Sequence, residues 1–283
     1  MAAKAKENRL ESLLKLTRFW NLLIIGMAQY FTAGMLIDRQ HIFDFRLFLL
    51  SCSTILIAAA GYIINDYYDV KIDLVNKPDR VVIGKSITRR YAILFHSVLT
   101  IAGIALGFFL NWKIGAMNIA SAFLLWLYSN ELKRQPFIGN VVVALLTGVS
   151  IVIVDALYHS GNVLIIIYAS FAFYMTLVRE IIKDMEDLKG DNTFGCKTLP
   201  ILWGMRKTKM AIYFILLVFS ITIFLLNEFY TKLPIEYFFV FLFIPLVWLF
   251  SRLIKADTKK DFAWLSMFCK VIMLFGVLSM AFI

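Results

Sequence analysis

The length of the apolar runs limits most strongly what this chain can fold into. Nine runs reach or approach the roughly 20 residues that a helix needs to cross the hydrocarbon core of a bilayer. They lie at residues 19–37, 47–64, 91–110, 114–129, 137–154, 163–178, 211–227, 237–251 and 262–282. Within a membrane, helices of this length satisfy all of their own backbone hydrogen bonds. The sequence therefore predicts an all-α, polytopic integral membrane bundle of about nine transmembrane helices.

The composition excludes an ordinary soluble protein. The 283 residues are 61% hydrophobic and 17% charged, whereas soluble domains are nearer half apolar and a quarter charged. We expect one transmembrane domain over residues 1–283. The three cysteines, Cys52, Cys196 and Cys269, lie far apart without metal-ligand spacing and are expected to be free thiols.

The distribution of Lys and Arg predicts how the chain is oriented. Alternate loops carry 24 and 4 of these residues, and Lys270 lies within the last apolar run. Because cytoplasmic loops are enriched in Lys and Arg, we expect the N-terminus inside and the C-terminus outside a bacterial or archaeal cell membrane. The net charge of +10 then reflects topology and attraction to membrane lipid and phosphate. No motif of a nucleic-acid binder accompanies it.

Two acidic segments stand at the ends of apolar runs, and both fall on the predicted cytoplasmic side. The first spans residues 65–73 (NDYYDVKID) and the second spans residues 183–191 (KDMEDLKGD). On a helix, positions four apart lie on one face, so Asn65, Asp69 and Asp73 would align. Lys183, Asp187 and Asp191 would align in the same way. Carboxylates gathered at one membrane face repel one another unless a cation lies between them.

This pattern indicates Mg²⁺ and a phosphate-bearing ligand. Mg²⁺ prefers oxygen ligands and usually shares them with substrate phosphates. Basic side chains near the acidic segments are suited to bind the phosphate oxygens: Lys71, Lys77, Arg80, Arg179, Lys183 and Lys197. A diphosphate held in this way departs readily, and the organic cation left behind requires a dry, aromatic-lined cavity. The hydrophobic remainder of such a substrate would enter from the bilayer.

Three other interpretations of the acidic segments remain open. The first is a solvated helix end, which is common for one charge run and less so for two with the same spacing. The second is a cation-coupled transporter, which places its acids near the bilayer midplane, whereas these acids lie at the ends of runs. The third is a CDP-alcohol phosphatidyltransferase, whose Asp-Gly…Ala-Arg pattern is absent from the sequence.

These residues resemble the UbiA family of membrane prenyltransferases. The family signature NDxxDxxxD stands at Asn65, Asp66, Asp69 and Asp73, followed by NKPDR at residues 76–80. The second signature, DxxxD, stands at Asp187 and Asp191. Residues 128–140 resemble the family's middle loop, and residues 18–21 resemble its N-terminal RPxN element. The resemblance covers essentially the whole chain and implies nine helices around a central cavity, capped by cytoplasmic acidic loops.

The resemblance also implies roles for individual residues in Mg²⁺-dependent prenyl transfer from a polyprenyl diphosphate donor to a lipophilic acceptor. The implied metal ligands are Asn65, Asp69, Asp73, Asp187 and Asp191, and the same four aspartates are the implied catalytic residues. Tyr128 is expected to face the departing diphosphate or the allylic cation. The implied substrate-binding residues are Asn21, Asp66, Arg80, Lys133, Arg179, Lys183 and Lys197.

The second signature bears on the acceptor. Residues 179–191 (REIIKDMEDLKGD) look most like the branch that geranylgeranylates geranylgeranylglyceryl phosphate, which is our prediction. Homogentisate, menaquinone-type and chlorophyll-type branches share parts of this string and remain alternatives. The sequence leaves the oligomeric state open.

Overall fold

The computed structural model describes residues 9–231, 237 and 239–283, and all their regular elements are helical. This confirms the predicted all-α class. The only pairing of β type in these residues is an isolated bridge between Ile83 and Ile87. The α-helices are α1 (Arg9–Leu16), α2 (Phe19–Phe31), α3 (Phe45–Asn76), α4 (Arg89–Leu110), α5 (Trp112–Asn130), α6 (Ile138–Tyr158), α7 (Val163–Glu186), α8 (Leu188–Thr193), α9 (Leu199–Leu226), α10 (Ile244–Lys255) and α11 (Lys259–Ser279).

Seven helices in the described residues are long and apolar enough to cross a membrane. They are Phe19–Ile37, Phe45–Asn76, Arg89–Leu110, Ile138–Tyr158, Val163–Glu186, Leu199–Tyr230 and Lys259–Phe282. The predicted count of nine is not confirmed. The fourth predicted run lies in α5, and the eighth overlaps α10, but neither helix is among the seven. Residue 238 of the eighth run and the N-terminal residues 1–8 lie outside the described residues.

The chain divides into two compact units, which we describe separately. The first unit comprises residues 1–26 and 49–130. In its interior the buried Asn118 amide donates to Ser53 Oγ at 2.6 Å and to the Gly103 carbonyl at 3.1 Å. Gly107 on α4 allows this approach, because a Cβ there would stand 2.3 Å from Asn118 Nδ2. Small residues and interhelical hydrogen bonds of this kind are typical of packed membrane helices.

The second unit comprises residues 27–48 and 131–283. Its central helix is α7, which packs against α6, α9 and α11. Met175, Val178, Ile181 and Ile182 of α7 are fully buried together with Phe219 of α9. Because neighbours pack around α7, the charged residues at its C-terminal end extend from a largely buried helix.

Large aromatic side chains are exposed at helix ends. Phe43, Phe109, Trp112, Phe229 and Phe282 are each between 68% and 92% exposed. All five lie in or beside segments that the charge pattern predicts to face away from the cytoplasm. Aromatic residues concentrate at membrane–water interfaces, so their positions agree with a membrane-spanning chain.

Candidate active site

The first acidic segment lies on α3, which continues beyond the apolar run and ends only at Asn76. Asn65, Asp69 and Asp73 therefore occupy one helix face, as the spacing predicts. All three are partly exposed residues. The Oδ1 atom of Asn65 is buried and has no hydrogen-bond partner in the part of the chain that the structure describes. An unsatisfied buried oxygen is costly, and here it stands in the predicted metal-ligand set.

Arg18 connects two residues that the sequence assigned to substrate binding. It lies between α1 and α2 with a positive φ of 53°, and its Nη2 donates to Asp66 Oδ1 at 2.9 Å. The guanidinium lies 4.8 Å from the centre of the Tyr62 ring, whose hydroxyl accepts from Asn21 Nδ2 at 3.3 Å. Sequence reasoning gave no role to Arg18 or Tyr62. The available signal was the RPxN-like element, which begins with Arg18.

The loop after α3 carries the predicted diphosphate ligand Arg80. It opens with a 3₁₀ turn over Pro78–Arg80, and the Arg80 side chain is exposed. Gly84 adopts a φ of 87°, which glycine tolerates best, and its amide donates to the Ile87 carbonyl at 2.8 Å. The loop is anchored by Val82, which is buried in a cluster with Leu16 and Ile63.

The second acidic segment begins on α7 and continues into the short helix α8. Helix α7 ends at Glu186, and Asp187, with φ −94° and ψ 6°, joins it to α8. The Asp187 amide still donates to the Lys183 carbonyl at 2.9 Å, and the Asp191 amide donates to the Asp187 carbonyl at 3.2 Å. The expected single helix through Lys183, Asp187 and Asp191 is thus interrupted at Asp187, although the i to i−4 bonds persist.

Glu180, near the end of α7, contacts two of the predicted diphosphate ligands. Arg179 Nη1 donates to Glu180 Oε1, and Lys183 Nζ lies 3.7 Å from Glu180 Oε2. The Glu180 side chain is only 8% exposed. Arg179 Nε is buried and has no hydrogen-bond partner among the described residues. Sequence reasoning missed Glu180, although its spacing of three residues from Lys183 on a helix was an available signal.

Two contacts within the second unit connect the middle-loop region to the second acidic segment and the residues after it: one comes from the start of α6 and one from the loop of residues 131–137. Buried Asn140 donates from Nδ2 to Asp184 Oδ2 at 2.9 Å. The Lys197 amide donates to the Arg134 carbonyl at 2.8 Å. This loop contains a 3₁₀ turn over Leu132–Arg134, and Lys133 lies in that turn. The structure therefore brings the backbones that carry Lys133 and Lys197 together. Tyr128 belongs to α5 in the first unit and is partly exposed.

The five predicted metal ligands come from both units. Among the described residues, no group of three or more His, Cys, Asp or Glu side chains is arranged to hold a metal ion. The ligand set therefore stays a prediction. Its chemistry suits Mg²⁺, since carboxylate and amide oxygens are hard ligands and the buried Asn65 Oδ1 has no hydrogen-bond partner in that part of the chain.

Comparison with known sequences identifies related enzymes. The model of the UbiA prenyltransferase family matches residues 28–272. A digeranylgeranylglyceryl phosphate synthase from Methanosphaera stadtmanae is 32% identical over 85% of this chain and 89% of its own length. An enzyme of the same name from Saccharolobus solfataricus is 39% identical over 70% of this chain and 71% of its own length.

Solved structures share the fold. One, from work on digeranylgeranylglyceryl phosphate synthase in membranes, has a TM-score of 0.72 at 26% identity and covers 97% of this chain and 98% of that chain. A UbiA homolog from Archaeoglobus fulgidus bound to DMAPP and Mg²⁺ has a TM-score of 0.61 at 17% identity and covers 96% of this chain and 100% of that chain. At 17% identity, the second match supports only a shared fold.

Proposed function

The chain belongs to the UbiA prenyltransferase family, and from this premise we propose that it transfers a geranylgeranyl group from its diphosphate to geranylgeranylglyceryl phosphate within a membrane. The observation that carries the proposal is the pair of acidic segments at the ends of α3 and α7. The names of the matched relatives support geranylgeranylglyceryl phosphate as the acceptor. Aromatic, quinone-precursor and chlorophyll-type acceptors are the alternatives.

Mg²⁺ is the cofactor of the proposed reaction. Asn65, Asp69 and Asp73 would hold it from α3, and Asp187 and Asp191 from the junction of α7 and α8. The orphaned Asn65 Oδ1 supports this assignment. When bound, Mg²⁺ neutralises charge on the diphosphate and so makes it a better leaving group.

The diphosphate is bound by cationic side chains of the same regions. Arg179 and Lys183 supply donors from the end of α7, where Arg179 Nε is buried and has no hydrogen-bond partner among the described residues. Arg80, Lys133 and Lys197 supply further cations from loops. Charge-assisted bonds of this kind are about twice as strong as bonds between neutral groups. They orient the allylic carbon and hold the diphosphate as its bond to that carbon breaks.

The remaining chemistry needs few protein groups. The C–O bond between the allylic carbon and the diphosphate breaks, and the acceptor's hydroxyl oxygen forms a new C–O bond as its proton leaves with the diphosphate. Tyr128 is proposed to face the allylic cation, because an aromatic ring stabilises positive charge. Asn21 and Asp66, linked through Tyr62 and Arg18, are proposed to bind substrate.

The protein is an integral membrane protein, and we propose an orientation for it. The N-terminus and both acidic segments would face the cytoplasm and the C-terminus the outside, in a bacterial or archaeal membrane. The excess of Lys and Arg on one side supports this. We also propose that residues 1–283 form one functional domain, since the family model matches residues of both units.

The proposal is tested by a transfer assay with the purified protein in lipid. Radiolabelled geranylgeranyl diphosphate is supplied with Mg²⁺ or EDTA and with a panel of four acceptors. The panel comprises geranylgeranylglyceryl phosphate, homogentisate, 1,4-dihydroxy-2-naphthoate and 4-hydroxybenzoate. We expect Mg²⁺-dependent product with geranylgeranylglyceryl phosphate. Product formed only with a different acceptor would overturn the proposed acceptor. The absence of product with every prenyl diphosphate donor would overturn the proposal of prenyl transfer.

A further inference from the structure

Glu180 occupies a position where a charged side chain is costly. It lies on α7 among the fully buried Val178, Ile181 and Ile182, in a helix that is long and apolar enough to span a membrane. A buried charge is costly unless it is paired and hydrogen-bonded. A side chain that served only to pack would be apolar here. The carboxylate must therefore be explained by what it contacts.

Both oxygens of Glu180 are used, and each faces a different cation. Oε1 accepts from Arg179 Nη1, and Oε2 lies 3.7 Å from Lys183 Nζ. Arg179 and Lys183 are four residues apart, so they would repel each other on the same helix face without a carboxylate between them. Glu180 therefore holds together two cations that would otherwise move apart.

The Arg179 guanidinium retains an unused donor. Its Nε is buried without a hydrogen-bond partner in the described part of the chain, although Nη1 is bound by Glu180. A buried N–H of a charged group without an acceptor is costly. An anionic ligand beside Arg179 would remove that cost. The bond from Nη1 to Glu180 restricts how the guanidinium turns and, with it, the direction in which Nε points.

Asp184, one turn further along α7, does not share this position. Its Oδ2 accepts from Asn140 of α6 at 2.9 Å, so this carboxylate is held toward a neighbouring helix. Glu180 instead contacts cations of its own helix. Asp184 also interacts electrostatically with Lys183, but its hydrogen bond goes to Asn140, whereas the two oxygens of Glu180 face Arg179 and Lys183.

We propose that Glu180 is a positioning residue that holds Arg179 and Lys183 in the geometry that binds the donor's diphosphate. This inference rests on the proposed function, in which those two cations bind diphosphate. Glu180 itself does not touch the substrate. Its removal is therefore expected to weaken diphosphate binding and to leave acceptor binding unchanged.

The test measures binding of inorganic diphosphate to the full chain in lipid nanodiscs, by calorimetry at fixed Mg²⁺. Glu180→Gln preserves the side-chain size and removes the charge, and we expect its Kd to rise about tenfold, equivalent to about 1.4 kcal/mol. Glu180→Asp retains the charge with a shorter reach and should have a Kd between those of the wild type and Glu180→Gln. Glu228→Gln, an exposed carboxylate outside the site, is the matched control and should bind as the wild type does.

A double-mutant cycle separates positioning from a general structural role. Lys183→Ala should weaken binding about tenfold in the wild type but by less than about threefold in the Glu180→Gln background, because coupled residues are not additive. Additive effects, or an unchanged Kd in Glu180→Gln, would overturn the inference. If Glu180→Gln does not yield folded protein, Glu180→Asp decides: a Kd at least about threefold weaker supports positioning, and the wild-type Kd overturns it.

Failure of this inference about Glu180 can be distinguished from failure of the proposed function. A wild-type protein that binds diphosphate but transfers no prenyl group would overturn the function, while the Kd values still decide the inference. Normal transfer together with an unchanged Kd in Glu180→Gln would overturn only the inference. A wild-type protein that does not bind diphosphate at all would overturn both. In the transfer assay we expect Glu180→Gln to raise KM for the donor and not KM for the acceptor.

Discussion

At the scale of single residues, Gly139 illustrates how a position outside the acidic segments supports the site. A Cβ at this position would stand 2.8 Å from the Leu132 carbonyl oxygen and 2.9 Å from the Lys133 Cα. Both atoms are backbone, so neither is able to rotate away. Gly139 thus permits the start of α6 to pack directly against the turn that carries Lys133.

Gly139→Ala is expected to displace that turn. We predict a loss of about 1–3 kcal/mol of stability, the typical cost of overpacking, and a higher KM for the diphosphate donor because Lys133 moves. Thermal unfolding and donor titration of the purified protein measure the two effects. Gly26→Ala is the matched control, since its Cβ would meet Ile55 Cδ1 at an ordinary 3.4 Å. Equal behaviour of the two variants would contradict the account.

The sequence predicted the positions of the acidic residues but not the residues that form hydrogen bonds with them. The four-residue spacing of Asn65, Asp69 and Asp73 is a local property, and α3 confirms it. The contact of Arg18 with Asp66 joins residues 48 apart in sequence, and that of Asn140 with Asp184 joins residues 44 apart. Such contacts depend on how helices pack, which one sequence does not reveal.

At the scale of helices, the apolar runs predicted the positions of the membrane spans more accurately than they predicted the ends of the helices. Helix α3 continues past the apolar limit at residue 64 to Asn76, because a polar helix end keeps its backbone hydrogen bonds and needs no lipid around it. Helix α7 likewise exceeds the predicted limit at residue 178 and ends at Glu186. Hydropathy reports burial in lipid, whereas backbone hydrogen bonds decide where a helix ends.

The side of the membrane on which each loop lies can be tested by labelling. In a background without the native Cys52, Cys196 and Cys269, we predict that Ser160→Cys reacts with a membrane-impermeant maleimide added to intact cells. Ser86→Cys should react only after the membrane is permeabilised. Both serines are exposed, and they lie in loops that the distribution of Lys and Arg assigns to opposite sides. The reverse labelling pattern would place the acidic segments outside and contradict the proposed orientation.

At the scale of the whole molecule, the family match and the helical architecture agree. The family model matches residues 28–272, a range that takes in both acidic segments. In the part of the chain that the structure describes, seven helices are long and apolar enough to span a membrane, and the acidic segments lie at the ends of two of them, α3 and α7. The membrane would supply both hydrophobic substrates, and the helix ends would supply the polar chemistry.

The central claim is that these two acidic segments together carry Mg²⁺-dependent prenyl transfer. The most direct test compares the wild type, Asp69→Ala, Asp187→Ala and the control Asp155→Asn, whose carboxylate accepts from Ser160 and Gly161 outside the site. Transfer of radiolabelled geranylgeranyl diphosphate is measured at saturating Mg²⁺. We predict a loss on the order of 100-fold or more in each alanine variant, since each removes a proposed metal ligand, and wild-type activity in Asp155→Asn. Undiminished transfer by folded Asp69→Ala and Asp187→Ala would contradict the account.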